Sequence, residues 1–237
     1  MKKTLLAAIA LTGAAVLGNV NAANGDLYLG FEATGGTGAT ANLVFDLGSA
    51  TSFNSLSGAI GDDLAATYGA NWYSRSDLFY GVVGSVSPTL NGDPINTLYG
   101  SDASGTGAWN RASASAQGTV VAKIKTMQSQ IATDLANGQG GLASGVVIMN
   151  NSEGGSWGAY SSIGNTSFGS FNGSVEALVG STLDLYRMAP GVGQGGYVGS
   201  LVIDQTGNVA AVPEPATYAL MGLSALVLIV AYRRKAA

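Results

Sequence analysis

Gly25-Asp26-Leu27-Tyr28-Leu29-Gly30-Phe31-Glu32-Ala33 sets Leu27, Leu29 and Phe31 at every second position, the period of a strand that buries one face. Gly35-Gly36-Thr37-Gly38 interrupts that run and Leu43-Val44-Phe45-Asp46-Leu47 resumes it, which predicts a hairpin with a loose glycine loop. Farther along, Asp77-Leu78-Phe79-Tyr80-Gly81-Val82-Val83-Gly84 is a short apolar run of the kind a buried strand shows, and Asn91-Gly92-Asp93-Pro94 is turn chemistry. Gly145-Val146-Val147-Ile148-Met149 reads as another strand. Leu183 to Met188 alternates, as does Tyr197 to Asp204 more weakly, and the glycine-rich Pro190 to Gly196 joins them as a hairpin. A last strand is expected after Gln205-Thr206-Gly207-Asn208.

Between these strands lies one long helical pattern. From Ala112 to Asn137, Val120, Ile124, Met127, Ile131 and Leu135 recur at spacings of 4, 3, 4 and 4, one stripe of an amphipathic helix. Asn137-Gly138 is a good stop, since both residues tolerate the left-handed cap. Ser55 to Tyr68 shows a second, weaker face in Leu56, Ile60, Leu64 and Tyr68, against which Gly58 and Gly61 count. The expected fold is α+β: an antiparallel β-rich single domain over residues 23–211, packed by one long amphipathic helix.

Composition narrows the chemistry. The chain has 237 residues with 36 glycines, roughly twice average usage, and charged residues make up only 10%. There is no histidine and no cysteine. A Ser-His-Asp or Cys-His nucleophile, a His/Cys zinc site, a His- or Cys-held haem and a disulfide are therefore excluded. Basic residues concentrate at the ends, in Lys2, Lys3, Arg233, Arg234 and Lys235. Residues 23–212 retain Arg75, Arg111, Lys123, Lys125 and Arg187 against thirteen carboxylates. So acidic a body is a poor partner for nucleic acid.

Both ends carry signals. Met1-Lys2-Lys3, an apolar stretch from Thr4 to Gly18 and the ending Asn19-Val20-Asn21-Ala22-Ala23 make a secretory signal peptide over residues 1–22. Cleavage after Ala22 is the first choice and after Ala23 the second, which implies Sec-type export machinery and a signal peptidase as partners. At the other end, Ala216 to Tyr232 is an uncharged 17-residue run that reaches about 25 Å as a helix, the short end of a membrane span. Tyr218 and Tyr232 sit where interfacial aromatics belong, and Arg233-Arg234-Lys235 follows. The positive-inside rule then puts the C-terminus in the cytoplasm and the body outside. Ahead of the span, Val212-Pro213-Glu214-Pro215 forms an extended linker that can neither continue a strand ladder nor enter a helix early.

Pro213-Glu214-Pro215, then an apolar helix, then an Arg-rich end resembles the PEP-CTERM sorting signal of Gram-negative bacteria, over residues 212–237. The resemblance implies recognition by an exosortase, an integral membrane transpeptidase-like protease, with Pro213, Glu214, Pro215, Arg233 and Arg234 as the sorting residues. It also implies a single-pass membrane intermediate, then release or transfer to the cell surface or extracellular matrix, where such proteins accompany exopolysaccharide and biofilm production. Gly25 to Phe31 with Asn42 to Gly48, and Ser181 to Pro190, are similar more loosely to one subgroup of these proteins. That subgroup brings no biochemical activity with it.

The body offers few candidates for chemistry. Gly191, Gly193 and Gly196 have dinucleotide-fingerprint spacing, but a strand rather than a helix is expected after them, so they read as a hairpin loop. Asp62-Asp63 could serve glycoside cleavage or calcium, and Asp102 a calcium loop, whereas a solvated helix surface accounts for the pair more simply. Trp72, Trp109 and Trp157, with Tyr73 and Tyr160, lie in segments rich in Gly, Ser or Asn. A sugar-binding face and ordinary core packing both fit that setting. No cofactor or metal is expected. Three functions remain: a non-enzymatic surface or matrix protein, an extracellular carbohydrate-binding module, and a secreted hydrolase built on carboxylates.

Overall fold

A computed structural model describes residues 23–106, 113–160, 175–191 and 193–212. The first strand, β1 (Asp26–Ala33), is buried along its whole length on both faces. Its alternation sorts the side chains: Leu27, Leu29 and Phe31 enter one core, while Tyr28 enters another on the opposite face. It pairs antiparallel with β2 (Ala41–Ser49), Leu29 opposite Phe45 and Phe31 opposite Leu43, across the glycine loop read from the sequence.

The remaining strands are β3 (Ser57–Ala59), β4 (Leu78–Val86), β5 (Thr97–Ala103), β6 (Val146–Asn150), β7 (Glu176–Leu178), β8 (Leu183–Met188), β9 (Gly196–Ile203) and β10 (Asn208–Val212). They form one sheet in the order β3-β10-β9-β8-β5-β4-β1-β2-β6, with β7 added beside the first half of β4. Every pairing is antiparallel. The result is an antiparallel β-rich half-barrel with a few helices.

Helix α2 (Ala114–Ala136) covers one face. Ser113 caps it by accepting a bond from the Ala116 amide at 3.2 Å, and Gly138, at φ +79°, ends it. Val120, Ile124, Met127 and Ile131 are at most 1% exposed and meet Val44, Val83, Leu98, Val147 and Met149 of the sheet. Burying each such side chain contributes roughly 1.5–3 kcal/mol. On the opposite face Phe53, Ile60, Leu64, Tyr68 and Trp72 pack against Leu27, Leu29 and Phe31.

Two sequence expectations change. The helix anticipated from Ser55 starts only at Gly61, as α1 (Gly61–Tyr68). Before it, Ala50–Ser55 is a 3-10 turn and Ser57–Ala59 pairs with β10, Gly58 opposite Val209. Edge pairing wins there because Gly58 is a poor helix former. Ile60, Leu64 and Tyr68 still share the buried face. Strand β5 has no counterpart in the sequence reading. Its buried Thr97 and Ser101 are polar, satisfied by Thr97 Oγ1 donating to Pro94 O at 2.8 Å and Ser101 Oγ to Val175 O at 2.6 Å. Hydroxyls satisfied within the fold hide the alternation from a hydrophobicity pattern.

Among the described residues no helix is long and apolar enough to cross a membrane. Residues 1–22 and the anticipated span 216–232 lie outside the described residues.

Candidate functional site

Two of the three tryptophans proposed as sugar contacts, Trp72 and Trp157, are core residues. Trp157 opens the single-turn helix α3 (Trp157–Tyr160) and is 0% exposed. Its indole lies against Gly30 of β1, where a Cβ would fall 1.9 Å from the ring. Its Nε1–H donates to Glu176 Oε1 at 2.6 Å. Trp72 is 4% exposed and meets Tyr73 edge to face at 5.4 Å. Neither ring offers a face to solvent, which corrects the ligand-contact expectation for both. In a chain this rich in glycine, bulky rings fill the volume that short side chains leave. A glycine inside a strand pattern, here Gly30, was the signal for such a close approach. Trp109 lies outside the described residues.

The carboxylates are engaged by the backbone. Asp62 is exposed, but Asp63 is 1% exposed, which corrects the solvated reading of the pair. Its two oxygens accept the amides of Leu142 at 2.5 Å and Ala143 at 2.9 Å, just before β6. At the start of α1 a Cβ on Gly61 would meet Thr206 O at 2.2 Å, so the helix abuts the β9–β10 turn. The first turn of α1 therefore meets both the β9–β10 turn and the segment before β6. A groove of about 230 Å³ lies at this seam, lined by Asp62, Asp63, Leu142 and Thr206. Within the groove, Asp63 is occupied by two backbone amides while Asp62 stays exposed.

Asp102 sits in β5 opposite Asp184 of β8, not in a loop. Burial pushes the Asp102 carboxyl up, and Asp184 adds to that as a like charge. Asp184 accepts Ser200 Oγ at 2.6 Å and the Gly105 amide at 3.3 Å. Among the described residues no group of three or more acidic side chains is arranged to hold a metal ion. Gly191, Gly193 and Gly196 lie in or at the end of the loop between β8 and β9, strand before and strand after. The two described arginines are equally committed: Arg75 pairs with Asp77 at 2.8 Å and donates to Gly35 O and Thr37 O, while Arg187 pairs with Asp93.

The two ends of the body are the remaining candidates. Ala22 lies outside the described residues, whereas Ala23 is described and bonded to Asp26. At the other end, β10 closes against β9 with Val212 opposite Ser200, and the Ala211 amide donates to Leu56 O at 3.3 Å. Pro213, next in sequence, has no N–H with which to extend the ladder, and it holds Val212 in the extended region. The family model of the PEP-CTERM protein-sorting motif matches residues 211–235. The tail is a PEP-CTERM sorting motif. Pro213, Glu214, Pro215, Arg233 and Arg234 all fall inside the match, though outside the described residues. The match begins on the last two residues of β10, so the sorting motif joins the sheet without a spacer. Neither a curated protein nor a solved structure matches the chain.

Proposed function

We propose that the chain is an exported, non-enzymatic surface or extracellular-matrix protein that an exosortase processes at its C-terminal linker. The observation that carries this reading is the sorting motif beginning on β10. A signal peptide over residues 1–22 starts translocation, and Ala216 to Tyr232 stops it with Arg233, Arg234 and Lys235 in the cytoplasm. Drawing those charges through hydrocarbon costs about 2.5–3.5 kcal/mol each on insertion-based scales. The chain then waits as a single-span intermediate with Pro213-Glu214-Pro215 at the outer membrane–water boundary. The prolines keep the linker extended, the conformation a protease binds, and Glu214 supplies a charge to recognise. Association of the processed body with exopolysaccharide or biofilm follows from the resemblance. The non-catalytic reading is supported by described carboxylates that are tied to backbone amides and hydroxyls.

The test is Pro213→Ala combined with Glu214→Ala in a host that has an exosortase. The variant should accumulate as a longer, membrane-bound form, visible as a mass increase on the cell-associated protein. Normal release of a shortened body would contradict processing at this linker.

A further inference from the structure

The backbone N–H of Ala23 donates to Asp26 Oδ2 at 2.8 Å, and the Asp26 amide donates back to Ala23 O at 3.2 Å. Gln128 of α2 reaches the same place, its Nε2 donating to Ala23 O at 3.3 Å and to the Tyr28 hydroxyl at 3.2 Å. Asn24 is fixed on both sides of its amide, donating to Pro88 O at 2.9 Å and accepting from the Ser87 amide at 2.5 Å. Gly25 O accepts the Ala50 amide at 3.0 Å. The chain is thus held in place from Ala23 onward by contacts to β1, α2 and the segments at Ala50 and Ser87.

The environment of that first residue is anionic. Asp26 is 9% exposed and burial raises its carboxyl above the usual range. On β2, Asp46 is pushed up to about 6, first by burial and then by the negative charge of Asp26. Among the described residues neither has an ion-pair partner; the ion pairs there are Arg75–Asp77 and Arg187–Asp93. Two carboxylates held this way are costly unless a cation arrives.

The chain itself makes one. Hydrolysis of the Ala22–Ala23 amide adds water and leaves a carboxylate on Ala22 and an ammonium on Ala23. The atom that becomes the ammonium is the one already 2.8 Å from Asp26. We propose that signal cleavage after Ala22 creates an α-ammonium that docks on Asp26 with Asp46 behind it, so that maturation adds a buried-side ion pair at the start of β1. This rests on reading residues 1–22 as a cleaved signal. It also selects the Ala22–Ala23 bond over the next one, because cutting after Ala23 removes the residue that Asp26 and Gln128 hold.

Asp26 of β1 accepts from the nitrogen that becomes the amine, and beside it lie the Tyr28 hydroxyl, which feels Asp26 and Asp46 of β2, and the uncharged Gln128 of α2. Burial and the two aspartates hold the Tyr28 hydroxyl far above its ordinary value, so it stays neutral through the alkaline range. An α-amino group titrates at about 7.7–8.0 when free, and pairing with a carboxylate raises it. A raised amine stabilises the fold fully below the free value, and that stabilisation is lost as pH climbs through the folded value.

The experiment exports the full-length chain and a variant with one Ser inserted after Ala22, which moves the ammonium one residue away from Asp26. Mass spectrometry of the detergent-purified proteins fixes each terminus, and thermal melts are recorded at pH 7 and pH 10.5. The unaltered protein should begin at Ala23 and melt about 2–4 °C above the inserted form at pH 7, with the gap closed at pH 10.5. A terminus elsewhere than Ala23 would overturn the signal-cleavage reading. A terminus at Ala23 with no gap at pH 7, or with an equal gap at both pH values, would overturn the docking of the amine.

Discussion

Gly30 and Trp157 are two halves of one contact, 127 positions apart in sequence, and only together do they explain why a tryptophan sits in a stretch of Gly, Ser and Asn. The absent Cβ at Gly30 lets the indole lie on the β1 backbone, and Glu176 takes its N–H. Sequence alone left sugar contact and core packing open, because composition around a residue does not say which distant strand faces it. Gly30→Ala puts a methyl 1.9 Å from the ring, so strand or indole must shift. The variant should lose about 1–3 kcal/mol in denaturant unfolding, with a red shift in tryptophan emission. An unchanged midpoint would mean that the indole is free to move aside. Asp63 teaches the same lesson in reverse. Its neighbour Asp62 points to solvent, whereas Asp63 holds two amides of a segment about eighty positions later.

At the level of elements, legibility followed how far an element's own residues carry its signal. Helix α2 was readable to within a turn because five apolar residues at helical spacing lie within it and an Asn-Gly stop follows it directly. The hairpin of β1 and β2 was readable for the same reason. Strand β5 was not, since its buried hydroxyls are satisfied by carbonyls of the preceding turn and of Val175, which no hydrophobicity pattern shows. The first turn anticipated for α1 gave way to a three-residue edge strand, whose pairing partner lies about 150 positions away. The α2 stripe provides a direct test. Ile124 is 0% exposed, so Ile124→Asp places an unpaired charge in the core beneath the helix. The expected loss is on the order of 4 kcal/mol or more, seen as a collapse of the thermal transition. A variant melting with the wild type would mean that this face does not pack on the sheet.

On the scale of the whole molecule, the described residues form a half-barrel whose last strand runs into the sorting motif. Its first described residue is tied to Asp26, and its last strand hands the chain to Pro213 without a spacer. The tail was the most legible part of the sequence, because proline, a charge-free run and terminal arginines act through their own chemistry and need no tertiary partner. The body was least legible in function, because its acidic residues acquire their roles from amides brought in by the fold. The account's central claim is that processing at the Val212 to Pro215 linker releases the exported body from the apolar run of residues 216–232. Peptide mass spectrometry of the extracellular fraction from a host with an exosortase tests this most directly. The released protein should yield peptides up to the Val212 to Pro215 linker and none running through Leu220 to Tyr232. Released protein that still contains intact Leu220 to Tyr232 peptides would contradict the account.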